Sequence, residues 1–160
     1  MHRRSLLNLA AATAAALVIS ATHASANGPS DADAVKAAHL NFMAALSARD
    51  AKAMEVVWAN KPYVVNIGPR SKRPAVGFAN AVANYWPKTF AQFEKIDVTA
   101  TSIAQIRTSG NLASVVGTEG IVGKTTSGKS VKFSAFVTNI FEKVGDRWLL
   151  VSHHAQRMPK

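Results

Sequence analysis

The sequence contains no cysteine, and it has few acidic residues beside its basic ones. The missing cysteine excludes disulfides, thiolate metal sites, cysteine nucleophiles and a lipid-anchored cysteine. The chain carries 19 Lys and Arg residues against nine Asp and Glu, a formal net charge of +10. Such a surface favours anionic partners or an anionic envelope face. The basic residues form no helix face and gather only around Lys61 and residues 70–73, so we expect a solvated loop there and no nucleic-acid partner.

No apolar run reaches the roughly 20 residues that a membrane-spanning helix requires. The apolar run at residues 9–19 is about half that length, follows a basic start at Arg3 and Arg4, and precedes Ala24-Ser25-Ala26. This layout predicts a cleavable signal peptide at residues 1–26 and a periplasmic or secreted protein without a membrane span. General secretion is favoured over the twin-arginine route. Cleavage removes two basic residues and no acid, which leaves 17 basic against nine acidic residues, a net charge of +8.

Several catalytic motifs are also missing. The chain has no Gly-x-Ser-x-Gly nucleophile elbow and no glycine-rich phosphate loop before a helix. The mature part has three histidines, His39, His153 and His154, whose spacing resembles no zinc site. We therefore expect neither a metal nor a cofactor.

The first half of the mature chain has helical periodicity. Ser30 is a predicted N-cap, and apolar residues recur at helical spacing as far as about residue 48, with His39 expected at the rim of this stripe. Asp50 is the predicted cap of a shorter helix, and residues 77–86 form a third helical segment that Pro87 ends or bends. The 134 residues from 27 to 160 are enough for one domain.

The second half alternates as strands do. After a short strand at residues 64–67, alternation begins at residue 94, and turns precede strands at residues 112–123, 131–144 and 147–154. These patterns predict an α+β domain in which helices pack on one face of an antiparallel meander. Residues 131–141 place apolar side chains on both faces, with Phe136 and Ile140 opposite Val137, which favours a homodimer formed through the sheet.

Three segments carry a resemblance to a known family: Arg49-Asp50-Ala51, residues 77–86 from Gly77 to Trp86, and residues 145–154, which read Gly-Asp-Arg-Trp-Leu-Leu-Val-Ser-His-His. Together they resemble the SnoaL-like branch of the nuclear transport factor 2-like superfamily. The resemblance implies a cystatin-like cone, in which helices pack on a strongly curved, mixed, mainly antiparallel sheet that leaves a pocket open at one end. Relatives include cyclases, ketosteroid isomerase, dehydratases and association domains, so the fold does not choose the function. Gln156 stands where such families often have a serine after the final histidine.

Two residues are candidates for acid–base chemistry in such a pocket. An isomerase of the ketosteroid type needs a carboxylate base, residues 58–68 contain no acid, and Glu119 is the one acid whose position in a strand allows it to point inward. The alternative for Glu119 is an outward-facing side chain near a bulge. Consecutive strand residues point to opposite faces, so only one of His153 and His154 can enter the pocket. His154 is the predicted one, and its alternative role is a hydrogen bond that closes the core.

The leading hypothesis is a homodimer that binds a small apolar organic molecule without chemistry. The alternatives are an isomerase, cyclase or dehydratase that uses His154 or Glu119, and an interaction module that uses the exposed sheet face. The predicted pocket consists of Trp58, Tyr63, Asn66, Tyr85, Trp86, Phe90, Phe136, Thr138 and His154.

Overall fold

The computed structural model describes residues 30–159, which form three α-helices and one six-stranded sheet. The predicted signal peptide lies outside these residues. The helices are α1 (Asp31–Ala48), α2 (Ala51–Val57) and α3 (Tyr85–Phe90), with a π-helical turn (Ala79–Ala83) before α3. The strands are β1 (Val65–Ile67), β2 (Ala75–Val76), β3 (Phe93–Ser109), β4 (Leu112–Thr125), β5 (Ser130–Val144) and β6 (Arg147–Arg157).

The first two helices begin at the predicted caps. Ser30 Oγ accepts a hydrogen bond from the backbone N–H of Asp33 at 3.2 Å, and the Asp50 carboxylate accepts from the N–H groups of Lys52 and Ala53. Arg49 ends α1 in the left-handed conformation, with φ of 54°. These local contacts satisfy backbone groups that a helix terminus otherwise leaves unpaired.

The third helical segment differs from its prediction. Pro87 does not end it, because Pro87 is the third residue of α3, and the helix continues to Phe90. Proline is tolerated in the first turn of a helix, where its missing N–H would have had no intrahelical partner. The irregular element is instead the π-helical turn that precedes it.

The strand order is β2-β1-β6-β5-β4-β3, and the sheet is not closed. Strands β3 to β6 form the predicted antiparallel meander, while β1 pairs parallel with β6 and antiparallel with β2. The predicted α+β class with a mixed, mainly antiparallel sheet is therefore confirmed. The two-residue strand β2 was not predicted, because it is too short to show alternation.

The helices and the inner face of the sheet enclose the core. Helix α1 packs chiefly against β3 and presents Val35, Phe42 and Leu46 to the sheet. His39 lies on the same stripe and is 1% exposed, so its predicted place at a rim was wrong. Within residues 30–159 no helix is long and apolar enough to cross a membrane.

One residue of β6 has no partner on β5. Ile140 pairs with Ser152 and Phe141 pairs with Leu150, which leaves Val151 as the extra residue of a bulge. Leu150 and Val151 are consequently both buried, and the inward-facing positions change from even to odd numbers along β6. This shift decides which histidine faces the helices.

Candidate functional site

A cavity of about 760 Å³ opens between the helices and the inner face of the sheet. Leu46 at the end of α1, Trp86 of α3 and Gly68 in the loop after β1 contribute to one side of it. Phe133 of β5 and Ala155 of β6 contribute from the sheet. Most of the lining is apolar, and the volume lies within the range typical of small-molecule sites.

Glu119 lines this cavity from the middle of β4. Its strand neighbours are Ala100 on β3 and Ala135 on β5, whose methyl groups leave room beside its carboxyl group. The residue is 3% exposed, and its Oε1 atom has no hydrogen-bond partner within residues 30–159. Burial without a partner disfavours the charged form and raises the pKa of Glu119 to about 7. This placement agrees with the inward-facing alternative for Glu119 and excludes the outward-facing one.

Gly117 explains how β3 and β4 approach each other beside Glu119. A Cβ atom at Gly117 would overlap the backbone carbonyl oxygen of Ser102, at the point where β3 shifts register after Ala100. Only a residue without a side chain allows this approach. Gly117 therefore permits the irregularity next to the strand pair that holds Glu119.

A chain of three buried polar side chains crosses the core beside the cavity. Asn139 Nδ2 lies 3.0 Å from His39 Nδ1, and Asn139 Oδ1 lies 2.7 Å from His153 Nδ1. An amide oxygen only accepts and an amide nitrogen only donates, so His153 carries its proton on Nδ1 and His39 accepts at Nδ1. His153 also lines the cavity, and the unprotonated Nε2 of its ring can accept a hydrogen bond.

The two hydrogen-bonded histidines, His39 and His153, are neutral at ordinary pH. Burial lowers the pKa of His39 to about 4. Burial, with repulsion from the positive charges of His39 and His154, lowers the pKa of His153 to about 3. Both rings therefore act as neutral hydrogen-bonding groups in the folded protein.

Two aromatic residues of α3 form a further wall. Tyr85 and Trp86 line the cavity with ring centroids 5.1 Å apart, and Phe90 stacks behind Trp86 at 5.7 Å. The Tyr85 hydroxyl lies 2.5 Å from the place that a Cβ atom would occupy at Gly68, so a glycine is needed for the tyrosine to lie there. The Nε1 atom of Trp86 is buried and has no partner within the described residues.

The structure brings together only part of the predicted pocket. Tyr85 and Trp86 line the cavity, together with the proposed acid Glu119. Trp58, Asn66 and Phe90 are buried in the core outside the lining. Four predicted residues are exposed and lie outside the cavity: Tyr63, Phe136, Thr138 and His154.

The corrections have two physical causes. His154 was assigned to the face of Trp148 and Leu150 by strict alternation, but the bulge at Val151 reverses the alternation and turns His153 inward. On β5 the inner face is the one that carries Ala135, Val137 and Asn139, so Phe136 and Thr138 point to the outer face. Tyr63 instead donates a hydrogen bond to Glu142 Oε2 at 2.6 Å.

Sequence reasoning missed the roles of His39, Asn139 and His153. A signal for Asn139 was available, because this amide interrupts the inward apolar positions Val137 and Phe141. No such signal linked Asn139 to His39, which is 100 residues away. Among residues 30–159 there is also no group of three or more His, Asp or Glu side chains placed to hold a metal ion.

Comparisons with known proteins agree with this architecture. Residues 35–159 match the family model described as a SnoaL-like domain. No curated protein matches the sequence. A nuclear transport factor 2-like superfamily protein from Salmonella enterica serovar Typhimurium superposes with a TM-score of 0.72 at 16% identity, over 79% of this chain and 89% of that one.

Two further solved structures are described by activity. A protein from Streptomyces avermitilis, described as a candidate dehydratase of the same superfamily, has a TM-score of 0.72 at 24% identity over 81% of this chain and 98% of its own. A ketosteroid isomerase-like protein from Erwinia carotovora has a TM-score of 0.69 at 15% identity over 83% and 100%. These likenesses establish the shared fold.

Proposed function

The chain belongs to the SnoaL-like domain family, and on that premise we propose that it binds a small, mostly apolar organic molecule in the cavity beside Glu119. The observation that carries the proposal is the cavity itself, about 760 Å³ in volume, which its own side chains leave unfilled. An interaction module would have no use for such a space, since its ligand would contact the outer surface.

Unpaired polar atoms support a ligand in this place. Glu119 Oε1 and Trp86 Nε1 are buried without partners within residues 30–159, and both residues line the cavity. Leaving a buried polar group unpaired costs about 1–3 kcal/mol, which a ligand with a matching polar atom would recover. A few placed polar groups within apolar walls are typical of specific small-molecule sites.

The proposal is tested with the neutral fluorescent probe N-phenyl-1-naphthylamine and the mature chain, residues 27–160. Ala155→Phe places a ring in the cavity, since Ala155 is buried on its lining, and should weaken probe binding about tenfold or more. Gln156→Phe is the matched control, because the neighbouring side chain lies outside the cavity and is exposed. Equal binding by both variants, or no binding by the unchanged protein, would contradict the proposal.

A second candidate is an acid–base enzyme that acts through Glu119. The specific observation in its favour is a carboxyl group on the cavity lining whose pKa burial raises to about 7, because such a group can accept and return a proton near neutral pH. His154 lies on the outer face, so this role in the cavity falls to Glu119. Glu119→Gln should then abolish turnover of a substrate while retaining its binding, whereas a pure binding protein has no turnover to lose.

We also propose that the protein is exported and forms a homodimer through the outer face of its sheet. Cleavage after Ala26 would leave a mature chain that begins at Asn27, which the intact mass of the exported protein would reveal.

The outer face supports the dimer, since Phe136 is 49% exposed and Val116 is 38% exposed on neighbouring strands.

A further inference from the structure

We propose that the ligand is an organic anion whose apolar body enters the cavity while one carboxylate, sulfonate or phosphate group stays at the cationic rim. We define the cationic rim as Arg70, Lys88, Lys129 and Arg157. This inference rests on the proposed binding function and adds the charge of the ligand to it.

The cationic rim comes from four separate parts of the fold that line one cavity. Arg70 lies in the loop after β1, Lys88 in α3, Lys129 in the turn between β4 and β5, and Arg157 at the end of β6. All four side chains are exposed. Because these positions are distant in sequence, only the tertiary structure brings their charges to the same opening.

Among residues 30–159, no residue of the cationic rim forms an ion pair with an acidic side chain. Within residues 30–159 the ion pairs join Lys124 to Glu94 and Lys143 to Asp31, and neither pair includes a residue of the cationic rim. Glu119 is the one acid that the described part of the chain places on the cavity lining, and burial keeps it largely protonated below pH 7. The opening therefore carries an excess of positive charge, and charges of one sign around a cleft raise the local concentration of the opposite ion.

The two arginines are also held by their neighbours. The Arg157 guanidinium lies 5.0 Å from the centroid of the Phe133 ring, and that of Arg70 lies 5.9 Å from the Phe93 ring. Arg70 also donates to Gln92 Oε1 at 3.4 Å. Both aromatic rings line the cavity, so each guanidinium lies over an aromatic side chain of its wall.

This arrangement suits an amphipathic anion better than a neutral molecule. A guanidinium presents paired N–H donors that match the oxygens of carboxylate, sulfonate or phosphate. Because each arginine already lies against an aromatic ring, its side chain loses less conformational freedom when it binds an anion. A single exposed ion pair contributes little, so the selectivity for anions depends on several cations acting together. An uncharged ligand would leave all four cations without an anionic partner.

The test uses two probes that share one ring skeleton and differ by a sulfonate: 8-anilinonaphthalene-1-sulfonate and neutral N-phenyl-1-naphthylamine. We expect the mature protein at low salt to bind the sulfonate probe at least about tenfold more tightly than the neutral probe. The ratio of the two affinities should fall as added salt screens the cationic rim. In Arg70→Gln/Arg157→Gln the ratio should approach one, with binding of the neutral probe retained.

The matched control is Lys36→Gln/Arg107→Gln, which removes the same charge from exposed positions on α1 and β3 that do not line the cavity. Its ratio should equal that of the unchanged protein, and circular dichroism should show all three proteins folded. Equal affinity for the two probes in the unchanged protein would overturn the anion inference while the binding function stands. An equal loss of sulfonate binding in both double variants would also overturn it. Failure of both probes to bind would instead remove the proposed function.

Discussion

At the scale of single residues, folding holds three buried ionisable groups in their neutral forms. The pKa of Glu119 rises from 4.5 to about 7, and the pKa values of His39 and His153 fall from 6.5 to about 4 and about 3. The sign of the effect on stability differs. The histidine contributions are complete above pH 6.5 and are lost as the pH falls toward 4 and 3, whereas the glutamate contribution is complete below pH 4.5 and is lost as the pH rises to 7.

Glu119→Gln isolates the glutamate contribution. In the unfolded chain a glutamate ionises above about pH 4.5, while folded Glu119 stays protonated to about pH 7. We expect the free energy of unfolding of Glu119→Gln, relative to the unchanged protein, to increase by about 3 kcal/mol between pH 4.5 and 7 and to stay level outside that window. Urea unfolding at pH 4, 5.5 and 7.5 measures it, and the histidines cancel in the comparison.

Glu55→Gln is the control for this experiment, because Glu55 is exposed on α2. At all three pH values its free energy of unfolding should stay close to that of the unchanged protein, because substitutions at exposed positions change stability little. If Glu119→Gln behaved in the same way, the carboxyl group would be ionising as freely in the folded chain as in the unfolded one, and its burial beside the cavity would be wrong.

At the scale of elements, irregularities in the long strands determine what the sheet presents to the cavity. The bulge at Val151 turns His153 toward Asn139 and leaves His154 on the outer face. The register shift after Ala100 brings the β3 backbone against Gly117, two residues before Glu119. Each irregularity lies next to a polar residue of the cavity, as is common for bulges beside functional sites.

Gly117→Ala tests the second irregularity. The added methyl group would overlap the Ser102 carbonyl oxygen, and because the obstacle is backbone, the two strands must separate. We expect a loss of about 2–3 kcal/mol in the free energy of unfolding, measured in urea.

Gly120→Ala is the matched control on the same strand. Its methyl group would meet the Thr101 Cγ2 atom at 3.0 Å, and a threonine side chain can move more readily than a backbone carbonyl. We expect a markedly smaller loss of stability. Equal losses in the two variants would show that β3 and β4 do not approach closely at Gly117.

At the scale of the whole molecule, the two faces of the sheet have different roles. The inner face supplies the core and the cavity, and the outer face carries Val116, Thr138 and His154 in one row across β4, β5 and β6. Exposed apolar side chains beside this row, Phe136 above all, are what the proposed dimer would cover.

Phe136→Glu tests the dimer without affecting the cavity, since Phe136 is exposed on the outer face. We expect light scattering after size exclusion to report a dimer for the unchanged mature protein and a monomer for this variant, because two like charges would be buried at the interface. Val56→Glu, at an exposed apolar position on α2, should remain dimeric. A monomeric unchanged protein would contradict the proposed homodimer.

Local patterns in the sequence were sufficient for the architecture. The caps at Ser30 and Asp50, the turns at Gly110, Gly128 and Gly145, and the existence of strands β3 to β6 depend on neighbours a few residues apart, and the structure contains each of them. The aromatic pair on α3, Tyr85 and Trp86, was predicted for the same reason, whereas the inward position of Glu119 was only one of two alternatives.

What only the tertiary structure decided is which polar side chains meet and which face each strand turns inward after an irregularity. Strict alternation predicted that His154 faces inward. The bulge at Val151 arises from the pairing of β5 with β6, and the sequence of one strand alone does not show how it pairs with another. In the same way, the hydrogen bond between His39 and Asn139 joins residues that are 100 positions apart, and the residues of the cationic rim come from four segments that are distant in sequence. The sequence by itself determined the elements, because their causes are local, and the packing of those elements determined the site, because its residues become neighbours only in the folded chain.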